Sequence, residues 1–283
     1  MAFNVSIDQA RHEFPEYEFL SALTPSEQKA AFHVRDKRGT DLCLKIIAPD
    51  YGLDRLNREV LALQTVNHPN VAKLREYEFS SRQGVQRHFM VEEFVVGKDL
   101  EDVLATGVPW VPEHAAGFFA ALCDGLTALE KAGIVHRDLK PTNIRVRPDG
   151  SPVIIDLGCA RHLNRTDLTR TSQGAAIGTP LYFAPEQFRG TKHDIDGRTD
   201  LFAVGVLLYR SLTGVHPFMV ENMPYAQLEE AVCTSQEYQG SERLAGLPSR
   251  WLLLVRRLLE KERGRRPQSA AQVAALLRKL GAA

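Results

Sequence analysis

A short hairpin predicted near the middle of the chain carries side chains whose types could do chemistry. Residues 144–147 have strand composition, residues 148–150 (Pro-Asp-Gly) form a turn signature, and residues 152–155 have the composition of the returning strand. In simple register Asn143 faces Asp156 across the hairpin, and facing residues in an antiparallel pair have Cα atoms roughly 4.5–5.5 Å apart. The sequence therefore predicts that an amide oxygen and a carboxylate converge at one end of the hairpin.

Oxygen ligands gathered in this way suit a hard divalent cation that carries phosphate groups. Asp138, in the loop just before Asn143, is left over as a candidate base. Each of these residues also has an ordinary explanation, since Asp and Asn are common in turns and caps. Their joint occurrence in this order is what favours a chemical site.

The same stretch resembles a known family. Residues 136–143 read His-Arg-Asp-Leu-Lys-Pro-Thr-Asn and match the H-R-D-L-x-x-x-N catalytic loop of protein kinases. Asp156-Leu157-Gly158 stands where the family carries D-F-G, and Lys140-Pro141 is similar to its serine/threonine branch. The resemblance runs from about Tyr17 to about Leu280 and is to the eukaryotic-like serine/threonine kinases of bacteria. It implies ATP and Mg²⁺ as cofactors, with Mn²⁺ also allowed, and Ser or Thr hydroxyls of proteins as acceptors.

The resemblance implies a role for each residue of the motifs. Asp138 would orient the acceptor hydroxyl and take its proton, and Lys140 would steady the γ-phosphate. Asn143 and Asp156 would hold Mg²⁺ across the phosphates, and Thr179 would help to place the acceptor.

A lysine and a glutamate are expected at the nucleotide phosphates. Residues 42–45 (Leu-Cys-Leu-Lys) are similar to the V-A-I-K strand of kinases. Glu59 lies on the apolar stripe of a predicted helix, where a carboxylate is destabilising unless it is paired. The family implies Lys45 as its partner, in a pair that positions the α and β phosphates. The alternative is a partly exposed Glu59 paired with Arg55 or Lys73 at the surface.

The adenine-binding positions are likewise implied by the resemblance. Residues 93–98 match the hinge, whose backbone takes the adenine edge, so Glu93 and Val95 are assigned to it. Cys43 is assigned to the nucleotide-lining strand, and Arg145 matches the apolar residue that forms the floor beneath adenine.

Several features depart from the family pattern. Residues 24–29 stand in place of the glycine-rich lid but contain no glycine, which puts the close approach of backbone N–H groups to phosphate in doubt. Either Lys29 or nearby hydroxyls replace some of these contacts, or the lid binds phosphate poorly. Glu92 replaces an apolar gatekeeper, so it could pair with Arg145 and narrow the adenine site. Alternatively the register is off by one, and Arg145 points to solvent.

Residues 156–186 match the activation segment and end in Gly-Thr-x-x-Tyr-x-Ala-Pro-Glu. One interpretation of this segment is an ordinary solvated loop. The other is an activation loop that is autophosphorylated within residues 159–179, with Arg137 as the residue that in the family pairs with the new phosphate. The candidate acceptors are Thr166, Thr169, Thr171 and Ser172.

The elements around these motifs predict an α+β, two-lobed, protein-kinase-like fold. The small N-lobe has a five-stranded antiparallel sheet plus one helix, and the larger C-lobe is mainly helical. Expected strands are residues 17–23, 30–35, 42–47, 71–74 and 89–95, and expected helices begin near residues 53, 112, 200, 251 and 269. The resemblance also implies that Asp200 braces the catalytic loop and that Arg266 pairs with Glu186.

The predicted organisation is a single catalytic unit over residues 17–281. It comprises an N-terminal extension at residues 1–16, whose first dozen residues are expected to be flexible, an N-lobe at 17–96 and a C-lobe at 97–283.

Composition limits the class of protein. Lys+Arg and Asp+Glu number 35 each, so charge makes no case for nucleic acid or an anionic membrane as partner. The cysteines are scattered without a C-x-x-C pair, which argues against a zinc site and a secreted disulfide scaffold. No apolar run approaches the ~18 residues of a membrane span. We expect a cytoplasmic chain with protein substrates, and a dimer for trans-autophosphorylation is compatible with the family.

Two functions of different classes remain open. Intact Lys45, Asp138, Asn143 and Asp156 favour an active serine/threonine protein kinase. The absent lid glycines, with Glu92 and Arg145 at the adenine site, favour a pseudokinase that acts as a binding or scaffold module.

Overall fold

The structure is a computed structural model that describes residues 3–26, 28–157, 161–162, 180–190, 194–220 and 223–282. The chain divides into two compact units. The first comprises Met1–Asn67 and Ala72–Val95, and the second comprises His68–Val71 and Val96–Ala283.

The first unit is built on the predicted five-stranded antiparallel sheet. Its strands are β1 (Glu18–Ala22), β2 (Lys29–Arg35), β3 (Asp41–Ile47), β4 (Leu74–Arg82) and β5 (Val85–Glu93). They lie in the order β1-β2-β3-β5-β4. Helix α2 (Leu53–Thr65) is the helix that the sequence predicted. The alternation of β2 and β3 sends one set of apolar side chains to a single face, where Phe32, Leu44 and Ile46 are fully buried.

The predicted fourth and fifth strands were wrong in extent. The sheet forms a longer β4–β5 hairpin, and residue 71 makes only an isolated parallel bridge to Ile154 among the described residues. The hairpin turns at Gln83 and Gly84, both with positive φ (50° and 82°), as a two-residue turn of the primed type requires. This hairpin was not evident from the sequence, because residues 75–82 are mostly polar and the turn has no Asn-Gly signature.

The prediction of a flexible N-terminal segment was also wrong. Residues Ile7–Glu13 form helix α1, whose N-cap Ser6 accepts a hydrogen bond from the Gln9 backbone N–H at 3.1 Å. Just after the helix, Phe14 is fully buried and meets the Phe89 ring edge-on, with centroids 4.9 Å apart. Helix α1 therefore covers the apolar face of the sheet, so the described residues of the first unit form a second helix besides α2.

A buried ion pair ties α1 to the sheet. Glu13 accepts two hydrogen bonds from Arg87 on β5, at 2.8 and 2.9 Å, and both residues are buried. A carboxylate and a guanidinium can be buried together because each satisfies the other in this two-bond geometry.

The second unit is mainly helical, with small sheets at one side. Its longer helices are α4 (Pro112–Lys131), α6 (Gly197–Thr213), α7 (Tyr225–Thr234), α8 (Ser249–Leu258) and α9 (Ala270–Gly281); α3 (Leu100–Leu104) and α5 (Pro185–Phe188) are short. The strands are β6 (Lys98–Asp99), β7 (Ile134–Val135), β8 (Ile144–Val146), β9 (Pro152–Ile154) and β10 (Arg161–His162). Strands β6, β8 and β9 form one sheet, and β7 pairs with β10.

Helix α6 is buried on every side, because residues 201–209 are apolar around the whole circumference of the helix. Asp196 caps its N-terminus by accepting from the Arg198 backbone N–H at 2.9 Å, and Gly214 ends it in a left-handed conformation with φ 76°. A Cβ built on Gly205 would lie 2.7 Å from the Leu258 Cβ of α8, so this glycine sets the approach of the two helices.

The predicted register of the β8–β9 hairpin was off by one. Ile144 faces Ile154, and the Ile155 N–H donates to the Asn143 carbonyl at 3.0 Å, so Asn143 lies opposite Ile155 and not Asp156. The turn uses three residues, ending at Gly150 with φ 83°, where the prediction had assumed four. A three-residue hairpin loop with a left-handed glycine accounts for the shift.

Gly97, just before β6, is a position where only glycine fits. Its φ is 140°, and an added Cβ would lie 2.0 Å from the Val146 carbonyl oxygen. We expect Gly97→Ala to destabilise the chain by at least about 3 kcal/mol, because backbone strain and a clash with a neighbouring strand act together. Denaturant unfolding measures the effect.

Gly246→Ala is the matched control for this substitution. Gly246 has no positive φ, and an added Cβ meets nothing within 4 Å. Equal unfolding midpoints for the two variants would contradict the assignment of Gly97 as a constrained position.

Within the part of the chain that the structure describes, every helix is too short or too polar to span a lipid bilayer.

Candidate functional site

The loop before β8 brings three of the predicted residues together. The Asn143 side-chain N–H donates to the Asp138 carbonyl at 2.9 Å and to its carboxylate at 3.2 Å. The Lys140 ammonium group lies 2.9 Å from the same carboxylate oxygen, Oδ2. The short helical turn Pro141–Asn143 lets residues 138, 140 and 143 meet in so short a stretch. The Asp138 carboxylate is therefore held from two directions.

Asp200 fixes the start of this loop, as the sequence predicted. Its two carboxylate oxygens accept from the backbone N–H groups of His136 and Arg137, each at 2.8 Å. Burial raises the pKa of Asp200 to about 7, and the two backbone donors act in the opposite direction. The start of the loop is thus fixed by hydrogen bonds to Asp200 on the buried helix α6.

The backbone at Arg137 is strained. Its φ is 66°, in the left-handed region that residues with a Cβ seldom adopt. The Gln187 side chain donates to the Arg137 carbonyl at 2.8 Å, while Asp200 holds the N–H. Strain of this kind persists only where the surroundings fix the backbone, and it is common at functional loops.

His136 is fully buried, and its Nδ1 accepts from the Asp138 backbone N–H at 3.3 Å. Burial lowers the pKa of the ring below its ordinary value. These contacts give His136 a structural role in the loop.

The side chains assigned to Mg²⁺ fit that metal. Asn143 uses its amide N–H groups on Asp138, which turns its amide oxygen away from that carboxylate. Asp156 follows Ile155, whose N–H bonds the Asn143 carbonyl, and it is half-buried. In the described residues no cluster of three His, Cys, Asp or Glu side chains could hold a metal by itself. One carboxylate and one amide oxygen, completed by phosphate oxygens, is a donor set that Mg²⁺ takes.

In the first unit, Lys45 bonds to Glu92. Its ammonium group lies 2.8 Å from a Glu92 carboxylate oxygen, and both side chains are buried. Cys43 faces Glu92 in the β3–β5 register, which places all three residues on one face of the sheet. Burial raises the pKa of Glu92, against the lowering effect of Lys45.

Glu59 has different partners from the one predicted. Its carboxylate bonds to the Lys29 ammonium group and accepts from the Tyr51 hydroxyl at 2.9 Å. Only 1% of Glu59 is exposed, which excludes the surface alternative with Arg55 or Lys73. The predicted Lys45–Glu59 pair is thus corrected to two pairs, because Glu92 supplies Lys45 with a carboxylate. Sequence reasoning missed Tyr51, which carries no motif signal.

The predicted Glu92–Arg145 pair was wrong. Arg145 on β8 lies opposite Asp99 on β6 and bonds its carboxylate at 2.8 Å. It also donates to the Gly97 carbonyl. Since Glu92 bonds Lys45, each member of the predicted pair has another partner. Asp99 could have been identified as the partner of Arg145 only from the register of β6 and β8, which cannot be read from the sequence.

The remaining predicted residues are placed as follows. Cys43 is half-buried, Val95 is buried, and the Glu93 backbone N–H donates to the Lys73 carbonyl at 2.8 Å. Their assignment to the nucleotide stays a prediction. Thr179 and the hydroxyls at Thr166, Thr169, Thr171 and Ser172 lie outside the described residues.

The predicted pair of Glu186 with Arg266 is present and buried. Two hydrogen bonds of 2.7 and 2.8 Å join the guanidinium and the carboxylate, and the Arg266 side chain is fully buried. The Thr199 hydroxyl donates to the same carboxylate at 2.9 Å. The pair joins the segment that ends in Ala-Pro-Glu to the residues before α9, and Thr199 joins it to α6.

His216 provides a pH test of the same region. Its Nδ1 accepts from the backbone N–H groups of Phe218 and Met219, at 3.2 and 3.1 Å, so the proton must lie on Nε2, which donates to the Leu181 carbonyl at 2.8 Å. Burial lowers the pKa of His216 to about 4. Between that value and the ordinary ~6.5, the unfolded chain binds a proton that the folded chain does not.

We therefore expect the free energy of unfolding to fall by up to about 3 kcal/mol as pH drops from about 6.5 to about 4. His216→Asn should remove most of this slope, whereas His114→Asn, at an exposed position, should keep it. Parallel pH profiles for parent and His216→Asn in urea unfolding would contradict the assignment.

Comparison with known proteins agrees with this geometry. The sequence model of the family described as "Protein kinase domain" matches residues 30–276. The chain is similar to the serine/threonine-protein kinase pkn2 of Myxococcus xanthus, with 37% identity over 228 residues, 78% of this chain and 26% of that protein. It is 31% identical to serine/threonine-protein kinase PknB of Mycolicibacterium smegmatis over 271 residues, 94% of this chain and 43% of that protein.

A third relative is a probable serine/threonine-protein kinase of Corynebacterium efficiens, 32% identical over 208 residues, 71% of this chain and 31% of that protein. The chain thus spans between 26% and 43% of the length of these relatives. The family match covers most of the chain, including the loop built around Asp138 and the Glu186–Arg266 pair. The chain belongs to the protein kinase family.

Proposed function

We propose that the chain is the catalytic unit of a serine/threonine protein kinase, transferring the γ-phosphate of ATP to Ser and Thr hydroxyls of proteins. The observation that carries the proposal is the Asp138 carboxylate, held by Lys140 and Asn143 on a loop braced by Asp200. The names of the relatives support the same activity, and Lys140-Pro141 supports Ser and Thr as acceptors.

The transfer forms a bond between the acceptor oxygen and the γ-phosphorus and breaks the bond from that phosphorus to the β-γ bridging oxygen, releasing ADP. Asp138 orients the hydroxyl and takes its proton. Lys140, 2.9 Å from that carboxylate, is placed to steady the charge on the γ-phosphate. Asn143 and Asp156 would hold Mg²⁺, which would supply neutralising charge at the phosphates. Most of the rate enhancement then comes from positioning.

The residues assigned to the nucleotide follow the family pattern. Lys45 binds the α and β phosphates. Glu59 is the glutamate that the family pattern assigns to the same phosphate site. Cys43, Glu93 and Val95 line or bond the adenine. The Arg145 side chain, held by Asp99 and Gly97, fixes the strand from which the floor of the site is built.

The proposed activity has consequences for partners and regulation. The substrates are proteins, and a dimer phosphorylates itself in trans within residues 159–179. Thr166, Thr169, Thr171 and Ser172 are the acceptors there, Arg137 receives the phosphate, and Thr179 helps to place the acceptor hydroxyl. The catalytic unit is residues 17–281, with the lobes at 17–96 and 97–283, and the protein acts in the cytoplasm.

The second candidate is a pseudokinase that binds without transferring phosphate. One observation favours it specifically: Glu92, at the position of an apolar gatekeeper, holds Lys45 at 2.8 Å. The names of the relatives favour the active enzyme.

Labelled ATP separates the two. The parent chain, incubated with Mg²⁺ and γ-labelled ATP, should incorporate label, and both Lys45→Met and Asp138→Asn should reduce it to background. A parent that binds ATP but incorporates nothing above background is a pseudokinase.

A further inference from the structure

Lys29 is a buried cation, and the sequence left open whether it replaces contacts of the absent lid glycines. It begins β2 and is the last residue of the segment that replaces the glycine-rich lid, and only 6% of it is exposed. Its ammonium group bonds the Glu59 carboxylate and lies 5.6 Å from the centroid of the Tyr51 ring. The Tyr51 hydroxyl donates to the other Glu59 oxygen at 2.9 Å. One helix carboxylate is thus held from two sides.

Lys29 and Lys45 share a face of the sheet. Ala31 faces Lys45 directly in the β2–β3 register, and Lys29 lies two residues before Ala31, on the same side of β2. Residues in this diagonal relation across a strand pair have Cα atoms roughly 7–8 Å apart. Two ammonium groups on one face can therefore reach neighbouring phosphates of a single polyphosphate.

Each of these lysines has its own carboxylate. Lys45 bonds Glu92, and Lys29 bonds Glu59. Such buried pairs are weak sources of stability, because the desolvation of both ions offsets their attraction, and apolar residues of equal volume often serve as well. Two buried ion pairs on the face that carries Lys45 therefore make this face a candidate functional site.

We propose that Lys29 is a second phosphate-binding cation, which contacts the α and β phosphates of ATP beside Lys45 and replaces contacts that the absent lid glycines would have made. This inference rests on the proposed function, since ATP is the ligand. The Glu59 carboxylate, which also accepts from Tyr51, holds the Lys29 ammonium group in place. In this proposal the positive charge of Lys29 acts on the nucleotide.

A series of nucleotides tests the role of Lys29 in phosphate binding. Calorimetric titration with adenosine, ADP and ATP in the presence of Mg²⁺ gives the Kd of each for the parent, Lys29→Met and Lys29→Arg. We expect Lys29→Met to weaken ADP and ATP at least about tenfold and adenosine less than about twofold, with partial recovery in Lys29→Arg. Lys37→Met removes an exposed lysine from the same hairpin and should leave all three affinities unchanged.

Lys29→Met leaves the Glu59 carboxylate buried without its cation, so loss of folding must be separated from loss of binding. Lys29→Met/Glu59→Gln removes both charges and is compared with Glu59→Gln alone, after thermal unfolding confirms that both fold. A Kd for ADP that is still about tenfold weaker in the double variant supports direct phosphate contact. Equal affinities of the two variants, or equal losses for adenosine and ADP, overturn the inference.

Nucleotide binding and phosphate transfer are measured separately, so failure of the inference on Lys29 can be distinguished from failure of the proposed function. If the parent binds ATP and incorporates label while Lys29→Met keeps the parental affinity, the inference on Lys29 is overturned and the proposed function stands. If the parent binds but transfers nothing, and Lys29→Met loses ADP affinity, the proposed function is overturned and the inference stands. A parent that binds no nucleotide contradicts both.

Discussion

Asp138→Asn should lower the rate of phosphate transfer by about 10²–10⁴-fold while the Kd for ATP stays within about twofold of the parent. The amide keeps the size and shape of the side chain but cannot accept the proton of the attacking hydroxyl. It also loses the charge that Lys140 meets at 2.9 Å. Initial rates of label incorporation, measured beside calorimetric ATP affinity, separate the effect on transfer from any effect on binding.

Asp102→Asn is the matched control, since Asp102 is exposed on α3 and should transfer at the parental rate. A rate for Asp138→Asn within about threefold of the parent would remove Asp138 from the reaction, because even weak general bases contribute more than that.

The second large effect is on stability. Arg266→Met should lower the free energy of unfolding by about 3–5 kcal/mol, because it leaves the buried Glu186 carboxylate without its cation. Within the described residues, the Thr199 hydroxyl at 2.9 Å would then be the one side-chain donor left to that carboxylate. Urea unfolding followed by circular dichroism measures the loss.

Two further variants make this stability test specific. Arg250→Met removes an exposed arginine at the start of α8 and should change the unfolding free energy by less than about 0.5 kcal/mol. Arg266→Met/Glu186→Leu removes both charges and should recover part of the loss. A loss below about 1 kcal/mol for Arg266→Met would show that the pair is solvated and carries little stability.

The helices that position the site could be predicted because their signals are local. The apolar run of α6 is visible in one short stretch of sequence. The end of α4 is likewise marked locally, by Gly133. The Ser269 cap of α9 is also visible in sequence, and the structure confirms that it accepts from the Gln272 N–H at 3.2 Å. Asp138, Lys140 and Asn143 meet within six consecutive residues for the same reason, so a motif sufficed to find them.

The features that sequence reasoning missed depend on distant residues. Helix α1 is stabilised by Arg87 and Phe89, more than 70 residues away, so its short apolar pattern looked like a tail. The β4–β5 hairpin has a polar, partly exposed outer strand, which hides the period of two. In both cases tertiary packing outweighs local propensity.

The pairing of buried charges was the least predictable part of the site. Lys29, Lys45, Glu59 and Glu92 lie on three strands and one helix, and several pairings satisfy all four charges. Side-chain direction and strand register select among them, and a one-residue change in register reverses the face. Motif matching therefore identified Lys45 and Glu59 but assigned them to each other.

The most direct test of the account is the identity of the amino acid that receives phosphate. Chain incubated with Mg²⁺ and γ-labelled ATP is hydrolysed in acid, and the labelled amino acids are separated. The account predicts labelled phosphoserine or phosphothreonine in the parent and none in Asp138→Asn. Label on tyrosine alone, or equal label in the parent and Asp138→Asn, would contradict it.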